Sequence, residues 1–216
     1  MSRIEALLIG QPKTITDAKG EWRSAIFRES VVGPVALELR GLEGDQVGDT
    51  KHHGSPDQAV CCQPLSHYSH WNTLFGANLM PGAVGENWTL SDVDETSVCI
   101  GDIYGVGTAR VQVSAPRYPC SKQERKTAIP GFLKAIRAEK KTGWYLRVLT
   151  TGTVQAGDAL VLEARPQPNT TLAELNQAVL GEEWERALIE KHLALPELSK
   201  GWKNILRHRM AAKAKA

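Results

Sequence analysis

Gly101-Asp102-Ile103-Tyr104-Gly105-Val106-Gly107-Thr108-Ala109-Arg110-Val111-Gln112-Val113-Ser114 decides how most of the chain is read. It holds two short strand candidates, Asp102 to Val106 and Ala109 to Ser114, with a glycine-bearing turn between them. In the second, apolar Val111 and Val113 alternate with polar Gln112 and Ser114, the period of a strand whose two faces meet different surroundings. Gly101-Asp102 is a turn signal directly ahead of a strand, and Gly157-Asp158 repeats it. The pattern extends in both directions. Ile4 to Ile9, Ser24 to Arg28, Val35 to Arg40, Gln58 to Gln63, Trp144 to Leu149 and Ala159 to Ala164 are further short candidates. Many short strands with frequent glycine predict a mainly β fold, a barrel or sandwich, up to about Ala164.

Helical patterns interrupt the strands at Leu65 to Leu74 and at about Pro130 to Lys140, where Pro130 suits a first turn and Gly143 a stop. Between Cys120 and Pro130 the chain reads as a polar stretch. At Arg165-Pro166-Gln167-Pro168-Asn169 the character changes to that of a linker, because two prolines block both helix and ladder pairing. Beyond it lie three helical patterns. The first opens on a capping box, Thr171 with Glu174, and ends before Gly181. The second runs from about Glu182 to Leu193, and the third starts near Ser199 with Trp202, Ile205, Leu206 and Met210 on one face. The expected division is residues 1–165 as a β domain and 166–216 as a small three-helix domain docked on it.

Composition narrows the function class. A chain of 216 residues with 42% hydrophobic and 23% charged residues can bury a core without metal or disulfide support. The net charge of +2 gives no argument for a nucleic-acid partner. The four cysteines, Cys61, Cys62, Cys99 and Cys120, form no C-x-x-C pair, which argues against structural zinc and for reduced thiols. The N-terminal apolar run is short and broken by Glu5, and no stretch approaches the roughly 20 apolar residues of a membrane span. A cytoplasmic protein without a membrane partner is expected.

Four clusters could carry chemistry. Lys51-His52-His53-Gly54-Ser55-Pro56-Asp57-Gln58 follows Gly41-Leu42-Glu43-Gly44-Asp45 and suits an anion site. Lys51 and His53 can donate to phosphate or to oxo groups, and Gly54 permits close backbone approach; the same stretch also reads as a solvated loop with a turn. Gly85-Glu86-Asn87 offers an amide side chain and a close backbone to a polar ligand, or else is a hairpin turn. In Pro116-Arg117-Tyr118-Pro119-Cys120, Arg117 and Lys122 would favour the thiolate that metals bind, although a lone cysteine also serves as a small core residue. Lys203, Arg207, His208, Arg209, Lys213 and Lys215 form a basic C-terminal face without the aromatic interleaving that stacks bases. For the adjacent Cys61 and Cys62, one side chain is expected in the core and the other against the Leu65 helix, with Cys99 in the core.

Together and in this order, these blocks resemble the MOSC family, the domain at the C-terminus of molybdenum cofactor sulfurases, and within it the YiiM-like group with a three-helix tail. Ser55 stands where the family usually has a second glycine, and Gln58 where a basic residue is common. The resemblance implies a MOSC-type β-barrel with interspersed helices that holds molybdenum–molybdopterin. Cys120 is then the metal ligand, and Lys51, His53, Gly54, Asp57, Gly85, Asn87 and Arg117 are the positions matched to cofactor binding. Soft thiolate ligation suits this metal. The implied activity is reduction of N-hydroxylated compounds such as 6-N-hydroxylaminopurine, with Cys120, His53 and Lys51 as catalytic residues. No G-x-G-x-x-G fingerprint is present, so electrons are expected from a separate flavoprotein reductase. The alternative in the same frame is a non-catalytic carrier of the cofactor or of sulfur.

Overall fold

The alternation at Val111 and Val113 does what its period requires: both side chains, with Ala115, are buried, while Arg110 is exposed. In the computed structural model, which describes residues 1–49, 54–182 and 185–213, this strand is the axis of the architecture. The strands are β1 (Ile4–Ile9), β2 (Lys13–Asp17), β3 (Gly20–Ser24), β4 (Glu29–Ser30), β5 (Val35–Glu38), β6 (Gly41–Leu42), β7 (Val60–Pro64), β8 (Trp88–Leu90), β9 (Ile103–Val106), β10 (Ala109–Pro116), β11 (Trp144–Thr150), β12 (Gly152–Val154) and β13 (Val161–Ala164). The helices are α1 (Leu65–Phe75), α2 (Ser121–Thr127), α3 (Phe132–Glu139), α4 (Leu172–Leu180), α5 (Arg186–Leu193) and α6 (Lys200–Lys213).

The main sheet runs β13-β9-β10-β11-β7-β8-β1-β4 and forms a half-barrel. Its one parallel pair, β7 with β8, needs a crossover, and α1 with the loop after it supplies one. A smaller sheet, β12-β5-β6, and the β2–β3 hairpin complete the strands. The predicted mainly β class with interspersed helices and a C-terminal helical segment is the observed one.

A single apolar core runs through the half-barrel and the C-terminal helices. Trp88, Trp144, Leu37 and Leu146 share it with Leu172, Leu175, Trp202 and Leu206. A second cluster, with Trp71 edge-on to Phe132 at 5.6 Å between ring centres, holds α1 against α3. The Pro-containing connection is pinned as well as linking: Arg165 donates to Asp102 at 2.8 and 2.7 Å. Buried Asn176 on α4 donates to Lys140 O and Thr142 Oγ1, which ties the helices to the barrel rim.

Three local expectations need correction. Residues 25–28 are not a strand; β3 ends at Ser24, and Ala25 and Ile26 bury their side chains as irregular chain. The β2–β3 hairpin escaped the apolar pattern because most of its side chains are exposed. The polar stretch after Cys120 is helix α2, which buries only Gln123 and lays Arg125 over the Trp22 ring at 4.6 Å while pairing it with Asp17. Its partners are polar, so no apolar stripe marks it.

His192 on α5 gives the helical segment a pH dependence. Burial lowers its pKa from the usual 6.5, partly opposed by Glu174, whose Oε1 lies 3.2 Å from Nε2. The folded state therefore holds the ring neutral where the unfolded chain would protonate it. Stability is full above about pH 6.5 and falls as pH drops below it, until the depressed folded value is passed. Urea titrations at pH 7.5 and 5.5 should show the loss, and His192→Gln should flatten it; an unchanged slope in that variant would reject the assignment.

Candidate functional site

Cys120 reaches the protein interior because β10 runs on past its last ladder pair. Arg117 N donates to Gly143 O at 2.9 Å, extending the β10–β11 pairing by one residue before the chain turns. Gly143 has φ +74°, and an added Cβ would lie 2.3 Å from Cys62 O, so only glycine lets the strands approach this closely. Pro119 then directs Cys120 to the N-cap of α2, where its backbone N–H donates to Gln123 Oε1 at 3.0 Å. Helix α2 is held in turn by Lys126, whose Nζ donates to Ile26 O at 2.7 Å and to Gly82 O. Burial lowers the Lys126 pKa to about 8.

Two cavities meet at Cys120. One, of about 520 Å³, is lined by Arg28, Asp45, Cys61, Arg117 and Tyr145. The other, of about 700 Å³, extends from Cys120 to Gly201, Trp202 and Ile205 on α6. Gly54, Gln58, Tyr118 and Lys122 border both.

The first cavity is basic in a specific way. Arg117 is 6% exposed, and its Nη2 donates to Val84 O at 2.8 Å. Its Nη1 is buried and has no partner among the described residues. Burial acts to lower its pKa, but Cys61, Tyr145, Glu86 and Cys120 outweigh that, so the net direction is up and the guanidinium stays charged. A desolvated cation with an unused N–H is costly unless something accepts from it. Cys61 is held as a thiol, its pKa raised by burial against the pull of Arg117 and Arg28. Burial likewise raises Tyr145, which keeps its phenol as a hydrogen-bond donor.

The sequence-predicted residues fall into distinct groups. Cys120, Arg117 and Gly54 come together at the cavities. Lys51 and His53 lie outside the described residues. Asp57 borders the second cavity, but its Oδ1 takes Arg147 Nε at 2.9 Å. Asn87 borders the first, yet its amide serves the scaffold: Oδ1 accepts from Cys61 N at 3.1 Å, and Nδ2 donates to Asp45 at 3.0 Å and to Leu8 O. Gly85 is glycine for packing: at φ +78°, a Cβ would fall 2.1 Å from Ile26 Cγ1. Its carbonyl accepts from Arg28 Nη1 at 2.7 Å, while the rest of that guanidinium grips Asp45 at 2.9 and 2.8 Å. The Gly85-Asn87 segment therefore frames the cavity that both residues line.

Arg28, Cys61 and Tyr145 were not among the predicted site residues. Cys61 does not pack on α1 as expected; it faces the cavity, and Cys62 takes the core position. The alternation of β7 held that information, but not which side was hollow. Arg28 carried no local signal, since its role depends on Asp45 and Gly85 from distant segments.

A half-barrel that delivers one cysteine beside a buried arginine, with a helical segment closing the far side, defines a class that the comparisons identify. Residues 49–161 match the MOSC domain and residues 171–212 the YiiM-like, 3-alpha helix domain, and the chain belongs to the MOSC family. Protein YiiM of Escherichia coli K12 is 32% identical over 86% of this chain and 84% of its own length. The crystal structure of YiiM from Geobacillus stearothermophilus superposes with a TM-score of 0.83 at 35% identity, covering 97% of this chain and 99% of that one. A protein of Gibberella moniliformis named reductase is 31% identical over 82% of this chain, which spans 32% of that longer protein. MOSC domains are associated with molybdenum cofactor binding in general. No helix among the described residues is long and apolar enough to cross a membrane.

Proposed function

We propose that this chain is a molybdenum cofactor-dependent reductase of N-hydroxylated compounds such as 6-N-hydroxylaminopurine, with Cys120 as the thiolate ligand of the metal. The observation that carries the reading is the buried, unpartnered Nη1 of Arg117 in the cavity that Cys120 enters. That donor set fits an anionic, phosphate-bearing cofactor. Among the described residues no three His, Cys, Asp or Glu side chains converge as a metal site. When bound, the cofactor supplies soft dithiolene sulfurs and two-electron redox chemistry at molybdenum.

The residues of the chain have separate duties. Arg117, and Lys122 at the rim, would hold anionic groups of the cofactor. Arg28, paired with Asp45 and held by the Gly85 carbonyl, gives the wall a rigid polar edge. The Tyr145 phenol can donate to a bound oxygen. Lys51 or His53, in the basic run of sequence ahead of Gly54, would deliver a proton to the departing hydroxyl oxygen. The balance is R–NHOH with two electrons and two protons to R–NH₂ and water, the electrons coming from a separate flavoprotein reductase. The fungal relative named reductase supports redox chemistry on this fold.

The test is metal and pterin analysis of protein made in a host able to synthesise the cofactor, followed by turnover with a chemical electron donor. Adenine formed from 6-N-hydroxylaminopurine is the expected product. Retained cofactor with no turnover on several N-hydroxylated substrates would reject the reductase and favour a carrier of the cofactor or of sulfur.

A further inference from the structure

The second cavity has a different chemistry from the first. Ala115, Pro119, Trp202 and Ile205 give it apolar walls, and its volume of about 700 Å³ lies within the range of small-molecule sites. The wall facing Cys120 belongs to the helical segment and is fixed in place. Ser199 N donates to Ser114 O at 2.9 Å, and Arg147 Nη2 donates to Glu197 O at 2.8 Å. Trp202 and Leu206 are 4% and 0% exposed in the core shared with the half-barrel. At Gly201, in the first turn of α6, an added Cβ would meet nothing within 4 Å. The glycine leaves open space at the edge of the cavity.

Gln58 stands where the two cavities join. It is half-buried, and among the described residues its amide has no hydrogen-bond partner. A side-chain amide offers one donor and one acceptor side by side, the pattern that pairs with the donor–acceptor edge of an amino-substituted nitrogen heterocycle.

We infer that Gln58 and Gly201 are the specificity-determining residues of a substrate subsite between Cys120 and α6. In it Gln58 reads the polar edge of a planar nitrogen heterocycle, and Gly201 makes room for the ring. The inference rests on the reductase reading for what happens to the bound molecule, but not for the binding itself. It also gives the helical segment a duty at the site, as one wall of the subsite.

The test uses the full chain, both cofactor-free and cofactor-loaded, titrated calorimetrically with adenine and with 2-aminonaphthalene, a planar fused two-ring amine of similar size without ring nitrogens. The wild type should prefer adenine by about ten-fold or more, because the analogue leaves the half-buried Gln58 amide unpaired. Gln58→Leu should erase that preference. Gly201→Leu should weaken binding of both compounds at least about ten-fold by filling the space, as loss of a shaped pocket does. That variant should fold, since the built Cβ is unobstructed and helices disfavour glycine; an unchanged unfolding midpoint checks this. Equal affinity of the wild type for the two rings, no binding in either preparation, or unaltered binding in both variants would overturn the inference. The expected binding pattern without turnover would keep the subsite and remove the reductase. Turnover of hydroxylaminopurine unaffected by both variants would do the reverse.

Discussion

Cys120→Ser is expected to lower turnover of the cofactor-loaded protein by more than about a hundred-fold, beyond what losing an outer-shell partner of a metal ligand costs. Serine keeps the shape of the side chain and replaces a soft ligand by a hard, protonated one. The fold should be indifferent. Cys120 is half-buried, occupies the N-cap of α2, and serine is a preferred N-cap residue, so the unfolding free energy should move by no more than about 0.5 kcal/mol. Two measurements separate the roles: turnover per bound cofactor, and the urea midpoint. Activity within a few-fold of the parent would sink the ligand assignment outright. A large fall in midpoint would show that the thiol is structural. The same substitution bears on the carrier alternative, since a carrier that holds metal or persulfide on this sulfur loses retention rather than turnover.

The class of the fold was legible because burial follows period. β1, β10 and β11 announce themselves through apolar runs or alternation, and α4 through its Thr171 N-cap, whose side chain accepts from Glu174 N. What stayed illegible was held by polar partners far apart in sequence. Helix α2 is kept in place by Arg125 on Asp17 and by Lys126 on two carbonyls, contacts spanning 108 and 100 residues, none of which produces a local pattern. At the site, the chemistry of the Pro-Arg-Tyr-Pro-Cys block left Cys120 open between ligand and small core residue, and the family resemblance favoured the ligand. The Gly85-Glu86-Asn87 block was readable as important, but its scaffold duty was not. Its glycine and amide pointed to a ligand, whereas Ile26 fills the space beside Gly85 and Asp45 takes the Asn87 amide. Cys61 shows the converse limit: a strand period gives two faces, and only the closed half-barrel decides which face lines a cavity.

The residue between that glycine and that asparagine carries the second large effect. Glu86 is fully buried, and its Oε1 accepts from Tyr68 Oη at 2.5 Å, Gly82 N at 2.6 Å and Thr89 Oγ1 at 2.7 Å. These donors come from α1, the following loop and β8, so one oxygen closes the crossover onto the sheet. Glu86→Ala strands all three in a place water does not reach. A buried donor left unpaired costs about 1–3 kcal/mol, so with three of them a loss of roughly 3 kcal/mol or more is expected by urea denaturation. Glu86→Gln keeps one acceptor oxygen and should lose roughly half as much. The effect should reach the cavity, because the same loop presents Val84 O to Arg117 and Gly85 O to Arg28. Released from those carbonyls, both guanidinium groups lose their fixed aim, and cofactor retention should fall by about ten-fold or more even in the folded fraction, as for loss of an outer-shell partner. A Glu86→Ala protein within about 1 kcal/mol of the parent would mean that the three donors find other acceptors. Intact retention in that variant would mean that Arg117 and Arg28 are aimed by Asp45 and the strand backbone alone, and that the loop is a lid rather than a frame.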